Sequence, residues 1–137
     1  MSIDVSEKAR AFLRETRFAV LATIGKDGSP QLTTMWYLLD EESGVVLMNT
    51  RMGRIKDHNI RRDPRIAICI EDGYNYITIS GRAEVIDDPH IAQQDIYRLA
   101  SRYHGEVKAR IQMQNQFSRE PRATIRLKIE RVIEKLE

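Results

Sequence analysis

Five clusters of turn-forming residues cut this chain into short pieces, and that punctuation limits the folds open to it. GKDGSP (25–30), DEESG (40–44), DP (63–64), DGYN (72–75) and DDPH (87–90) each concentrate Gly, Pro, Asp or Asn, the residues that supply tight turns. Between them lie FAVLATI (18–24), QLTTMWYLLD (31–40), VVLMNT (45–50), RIAICIE (65–71) and YITISGRAEVID (76–87). These runs are short, apolar or alternating, and rich in β-branched and aromatic residues, so they read as strands. The first two, with their polar link, read as a hairpin. Gly81 inside the fifth run marks a bulge or sharp bend. ATIRLKIERVIEKL near the end sets Ile125, Leu127 and Ile129 against Arg126, Lys128 and Glu130, the pattern of a half-exposed sixth strand.

Helices fill the remaining pieces. Val5, Ala9, Phe12 and Leu13 form one apolar stripe, with Asp4 or Ser6 available as the cap. After VVLMNT, Met52, Ile55, Asn59 and Ile60 fall near one helical face, and Asp63-Pro64 stops that helix. Asp87 or Asp88 caps the next, with Pro89 in its first turn and Ile91, Ile96, Leu99, Ala100 and Tyr103 as its apolar face. Gly105 is placed to end it, and the polar stretch 106–117 fits a second short helix. About six strands with helices at the start, in the middle and before the last strand predict a mainly β (α+β) fold, a small antiparallel barrel with helices packed outside.

With 137 residues, 42% of them hydrophobic and 31% charged, the chain reads as one globular domain over 1–137. No apolar run approaches the ~20 residues that span a bilayer, and the N-terminal MSIDVSEKARAF has no secretion-signal core. The lone Cys69 excludes an internal disulfide and sits in IAICI, where a buried, inert thiol is expected. A cytoplasmic location follows as an expectation. Sequence signatures of serine hydrolases, zinc proteases, P-loop enzymes and dinucleotide-binding folds are absent. His58, His90 and His104 have no cysteine or carboxylate cluster at ligand spacing, so no metal site is expected. Met35, Met48 and Met52 read as core filler.

The charge is concentrated. TRMGRIKDHNIRRDPR (50–65) holds six basic residues and two acids in a chain of net charge +2. Arg54 and Lys56 follow a strand end and open a helix, where free backbone N–H groups and the helix dipole already favour an anion. Arg offers a rigid fork of donors and Lys a mobile point charge, so the pair reads as a phosphate cradle. Asn59, one turn beyond Ile55, offers an amide, and Asn49-Thr50 supply a polar strand end beside it. The bland alternative is a solvated helix face. On the hairpin's second strand, odd positions (Gln31, Thr33, Met35, Tyr37) and even positions (Leu32, Thr34, Trp36, Leu38) occupy opposite faces. Gln31, Thr33 and Thr34 place amide and hydroxyl groups beside apolar surface, which suits a flat hydrogen-bonding ring. Tyr74 and Tyr76 stand at the entry of the fifth strand, positioned to stack on or cover such a ring.

FAVLATIGKDGSPQLTTMWY, GRIKDHNIRRDPR and EDGYNYITISGRAEV in this order resemble the pyridoxamine-phosphate-oxidase-like split β-barrel proteins, most closely their subgroup that binds flavin or the deazaflavin coenzyme F420. The resemblance covers nearly the whole chain. It implies a six-stranded split barrel that forms a homodimer, with two cofactors in grooves between the subunits. It further implies that Arg54, Lys56 and Asn59 hold the cofactor phosphate and its neighbouring groups, that Asn49 and Thr50 lie near that phosphate, that Gln31, Thr33 and Thr34 line the ring, and that Tyr74 and Tyr76 come from the partner subunit. A dimer would also tolerate exposed aromatics such as Trp36 and Tyr37. The C-terminal RLKIERVIEKLE offers no counterpart to the arginine-containing substrate motif of true pyridoxamine phosphate oxidases, so oxidation of vitamin B6 phosphate is not expected.

The functional expectation is an oxidoreductase that moves a hydride between a bound deazaflavin, F420, or alternatively flavin mononucleotide (FMN), and a small conjugated substrate. The cofactor brings the chemistry and the protein binds, orients and excludes water; no catalytic side chain is singled out. The polyanionic tail of the deazaflavin would find further cations in Arg51, Arg61 or Arg62. Two other classes compete with it: a flavin carrier without turnover, and a nucleic-acid binder, whose affinity would fall steeply with salt.

Overall fold

The computed structural model describes residues 5–137. In chain order it contains α1 (Glu7–Arg14), β1 (Ala19–Ile24), β2 (Pro30–Met35), β3 (Leu38–Asp40), β4 (Val45–Arg51), α2 (Ile55–Arg62), β5 (Arg65–Glu71), β6 (Tyr76–Ile86), α3 (Pro89–His104), α4 (Glu106–Asn115), a 3₁₀ turn (Phe117–Arg119) and β7 (Arg122–Lys135). The α+β architecture and the antiparallel sheet are as expected; the strand count is not. The sheet has seven strands in the order β2-β1-β5-β6-β7-β4-β3.

The extra strand arises where QLTTMWYLLD breaks. Residues 30–35 pair with β1, whereas 38–40 pair with β4 at the other edge of the sheet. At the break the backbone bonds to side chains of α3. Tyr37 N–H donates to Tyr103 Oη (3.0 Å), and Tyr37 O accepts from Arg102 Nε (3.0 Å). This geometry also forces curvature. A flat seven-stranded sheet is roughly 29 Å wide at ~4.8 Å per gap, yet its two edge strands are joined through Trp36 and Tyr37 alone, a link of about 11 Å at most. The sheet therefore curls until its edges meet there. No ladder joins β2 to β3, so the barrel is split.

Gly81 does mark the bulge. The β6–β7 register slips between Ser80 and Gly81, so that Glu130 has no partner residue. A Cβ at position 81 would come within 1.8 Å of Lys128 O. Glycine is required there by close backbone approach.

The principal core fills the barrel with Leu13, Leu21, Met48, Ile68, Ile79 and Leu127, among others. Tyr37 belongs to it, which corrects the expectation that it is exposed: it is fully buried, and its hydroxyl donates to Leu13 O (3.0 Å) and Glu15 O (3.1 Å). Desolvation pushes its pKa up to about 12. Arg102 stacks over the Tyr37 ring and donates to Leu13 O, Arg14 O and Glu15 O, satisfying the carbonyls left free at the end of α1. A smaller core of Ile96, Leu99, Ala100, Ala109 and Phe117 packs α3 and α4 against Trp36 and Leu38. Trp36 is half-buried and stacks on Tyr103 at 5.1 Å. Neither aromatic therefore argues for a dimer by its exposure.

The caps follow the sequence. Ser6 accepts from Ala9 N at α1, and Asp88 accepts from His90 N and Ile91 N at α3; Asp4 lies outside the described residues. Two faces differ from expectation. Ile91 is 37% exposed, and buried Asp95 takes the inward place on α3, accepting from Thr124 Oγ1 at 2.8 Å. Ile55 is 65% exposed, while Asp57 and Asn59 are buried on α2. Cys69 is only half-buried, on the outer face of β5. No helix among the described residues is long and apolar enough to cross a membrane.

Candidate functional site

β4 is buried through Thr50 and then delivers Arg51 to the surface. The chain turns at Gly53, whose φ of 90° suits glycine, and enters α2 with Arg54 as an N-cap that has no side-chain cap bond. Asp57, at N3 of the helix, reaches back to accept from Gly53 N (2.8 Å). This local logic, a capping contact from the first turn, fixes the β4–α2 corner and points Arg54 and Lys56 towards one groove.

That groove has a volume of about 440 Å³. Arg51, Arg54 and Lys56 form its basic wall, Thr34 and Trp36 contribute from the β2 end, and Leu99, Gln112 and Phe117 close the opposite wall from α3, α4 and the 3₁₀ turn. Glu120 and Arg122 lie at its margin. Arg54 and Lys56 have no hydrogen-bond or ion-pair partner among the described residues; Arg51 has one distant contact, 4.0 Å from Glu120. Burial, then the charges of Arg54 and Arg122, hold the Lys56 pKa below the ordinary lysine value. The amide oxygen Oε1 of Gln112 is buried without a partner among the described residues. Cations left without counter-ions along a groove are what a site built for an anionic ligand leaves open.

Other cations of the basic segment are engaged elsewhere. Arg61 bonds Asp57 (2.7 Å) and Asp87 (2.9 and 2.5 Å). Arg65 pairs with Asp63 at 2.7 Å, and that guanidinium holds the Asp63 pKa at about 2. Arg62 donates to Asn59 Oδ1 (3.3 Å) and Ile24 O (3.5 Å). Of the three cations expected to help with a polyanionic tail, only Arg51 faces the groove.

The ten residues singled out from the sequence fall into three places. Thr34, Asn49, Thr50, Arg54 and Lys56 line the groove, although Asn49 is buried with its amide committed: Nδ2 donates to Ala92 O (2.9 Å) and Oδ1 accepts from Arg122 Nε (2.8 Å). Gln31, Thr33 and Asn59 belong to one internal chain of hydrogen bonds. Asn59 Nδ2 donates to Thr23 Oγ1 (3.0 Å), Thr23 Oγ1 to Gln31 Oε1 (3.2 Å), and Gln31 Nε2 to Thr33 Oγ1 (3.1 Å). This chain ties α2 to β1 and β2, and Gln31 and Asn59 border a separate depression beside the β1–β2 turn. Tyr74 and Tyr76 stand at the tip of the β5–β6 hairpin, 82% and 36% exposed. Tyr76 pairs with Lys135, while the groove end of the same ladder pairs Ile86 with Thr124; ten residues of strand, a contour of about 33 Å, separate the two.

Sequence reasoning missed Arg122, Gln112, Phe117 and Glu120 as groove residues. Arg122 comes to the site through the β4–β7 register, which sets it opposite Arg51. No local pattern announces a cross-strand partner 71 positions away. Among the described residues no group of His, Cys, Asp and Glu is arranged to hold a metal ion.

The chain belongs to the pyridoxamine 5'-phosphate oxidase family, whose sequence profile matches residues 5–136. It is 29% identical over 99 residues, 72% of each chain, to the F420H(2)-dependent biliverdin reductase of Mycobacterium tuberculosis (strain CDC 1551 / Oshkosh). The crystal structure of the conserved hypothetical protein Rv2991 from Mycobacterium tuberculosis superposes with a TM-score of 0.78 at 29% identity, covering 98% of this chain and 87% of that one. The structure of an F420 reductase superposes with a TM-score of 0.75 at 26% identity, covering 94% of this chain and 98% of that one.

Proposed function

We propose that this family member is a cytoplasmic oxidoreductase that binds the deazaflavin F420 and moves a hydride between it and a small conjugated substrate. The observation that carries this reading is the pair Arg54 and Lys56, without a side-chain partner among the described residues and lining a groove that also holds Trp36. The names of two relatives at 29% and 26% identity, both F420-dependent or F420 reductases, support deazaflavin over FMN. So does the surplus of cations, which exceeds what one phosphate neutralises.

In this reading Arg54 and Lys56 hold the phosphate, Arg51 an adjoining anionic group, and Thr34 and Trp36 the edge of the ring. Bound there, the coenzyme supplies a hydride acceptor or donor on its ring. The protein's part is to orient the ring against the barrel and to keep water from it, with Leu99 and Phe117 forming the apolar wall.

A second copy of the chain completes the site. The outer face of the sheet carries one cross-strand row of Thr34, Val20, Cys69, Thr78 and Ile133 and a neighbouring row of Leu32, Ala22, Ala67, Ser80 and Arg131. Leu32, Val20 and Ile133 are 63%, 41% and 43% exposed. Such a partly apolar surface, with Arg131 its one charge in these two rows, is suited to a self-complementary partner. Thr34 belongs to both this face and the groove, so a partner docked on the face borders the groove and has room to bring Tyr74 and Tyr76 over it.

Fluorescence titration of the purified protein with F420 and with FMN tests the reading. Micromolar or tighter binding of F420, followed by substrate-dependent reoxidation of its reduced form, is expected. Binding without reoxidation across conjugated substrates would favour a carrier, and binding of neither cofactor would overturn the proposal.

A further inference from the structure

Of the four cations lining the groove, Arg122 is the one that the fold restrains most. Its side chain is 10% exposed. Nε donates to Asn49 Oδ1 (2.8 Å), Nη1 to Glu120 Oε1 (2.5 Å), and the guanidinium lies over the Phe117 ring at 5.0 Å. Asn49 is itself anchored on Ala92 O, and Gln93 Nε2 pins Phe117 O and Glu120 O at 2.8 and 3.2 Å. The remaining amino group, Nη2, has no hydrogen-bond partner among the described residues.

This placement is unfavourable for the fold alone. Cross-strand pairing sets Arg122 directly opposite Arg51, and like charges in that relation repel. Burial, Arg54 and Arg51 all bear against its charge, and only Glu120 offsets them. Among the described residues, four cations, Arg51, Arg54, Lys56 and Arg122, thus share the groove with a single carboxylate. Like charges gathered around an open groove, one of them nearly buried, make sense when an anion completes the set.

We infer that Arg122 is an anion-binding residue, the fixed third arm of the cradle begun by Arg54 and Lys56, and that Asn49 and Glu120 are its positioning residues. The inference deepens the proposed function and rests on it for the identity of the ligand, though not for the presence of an anion. Arg54 and Lys56 are free to move with the ligand, whereas Arg122 is pre-oriented, so it sets where the anionic group comes to rest. The ligand class is a phosphate-bearing molecule whose charge exceeds that of one monoester, a diphosphate or a phosphate with an added carboxylate.

Calorimetric titration of the full chain with inorganic pyrophosphate, and fluorescence titration with FMN and F420, test this with Arg122→Gln and Glu120→Gln. Arg122→Gln is expected to weaken pyrophosphate and cofactor binding by about 10- to 100-fold, the range of a charge-assisted hydrogen bond. Glu120→Gln, which keeps an oxygen acceptor to position Arg122 but removes the negative charge facing the anion, is expected to tighten both several-fold. If Arg122 served only to brace β7 through Glu120, breaking the pair from either side would shift binding in the same direction; that result overturns the inference, as does unchanged affinity in Arg122→Gln. Should Arg122→Gln lose its fold, the sign of the Glu120→Gln effect still decides. Pyrophosphate binding that depends on Arg122, with no binding of FMN or F420 to the wild type, would sink the cofactor reading and leave this inference standing.

Discussion

The two halves of the basic segment 50–65 have similar composition and opposite fates. Arg51, Arg54 and Lys56 face a groove almost without counter-ions. Arg61 and Arg65 are paired with Asp57, Asp87 and Asp63, and Arg62 is turned onto Asn59 and a backbone carbonyl. The difference is made by carboxylates, one of them delivered from 26 positions away at the mouth of α3. Charge density in a sequence locates a basic surface; only the placement of the acids tells which part of it is available to a ligand. In the proposed reading the first half binds the ligand and the second half is scaffold.

Five substitutions and one pH dependence sharpen or break that contrast. Arg54→Ala and Lys56→Ala are expected to weaken F420 or FMN binding by about 10- to 100-fold each, with little change in melting temperature, since neither side chain bonds the protein. Arg61→Ala should do the reverse. It strips buried Asp57 of its charged partner, costing about 1–3 kcal/mol of stability in denaturant unfolding, while cofactor affinity stays within about threefold. Equal effects of Arg54→Ala and Arg61→Ala on binding would erase the distinction between the halves.

A smaller effect is expected from Asp87→Asn. Asp87 is exposed and Arg61 keeps its bond to Asp57, so about 0.5–1 kcal/mol is at stake, again without loss of ligand. The mildest expectation concerns pH. Burial and neighbouring cations hold the Lys56 pKa below the ordinary lysine value in the free protein, and a bound anion raises it. Binding is therefore strongest at pH values below the lowered pKa, and weakens as pH rises through it, before an ordinary lysine would lose its proton. Lys56→Arg should abolish this alkaline limb while retaining affinity.

A further alkaline effect belongs to the scaffold. The Tyr37 pKa is raised to about 12, so in the window from the ordinary tyrosine value near 10 up to about 12 the folded state holds a proton that the unfolded chain has released. Stability is complete below that window and falls as pH rises through it. Tyr37→Phe should flatten this loss while sacrificing about 1 kcal/mol from the bonds to Leu13 O and Glu15 O.

Much of the scaffold was legible because its signals are local. The β1–β2 hairpin, the Asp88 cap with Pro89 behind it, the end of α3 at Gly105 and the bulge at Gly81 each follow from a few adjacent residues. The break at Trp36–Tyr37 was not legible, because Tyr103 and Arg102, some 65 residues on, replace the ladder there. Tyr37 looked like surface for the same reason: its hydroxyl partners are carbonyls of α1. At the site, Arg54 and Lys56 could be read from their position between a strand and a helix. Gln31, Thr33 and Asn59 have the right chemistry for a ring, but spend it on one another through Thr23. Arg122 required the strand register, which no spacing in the sequence encodes.

The most direct test is a crystal structure of the protein with F420 or FMN bound. The account predicts the phosphate within hydrogen-bonding distance of Arg54 and Lys56, with the ring extending past Thr34 and Trp36. A phosphate seated instead in the depression beside the β1–β2 turn, or Arg54 and Lys56 directed into bulk solvent away from the ligand, would contradict it.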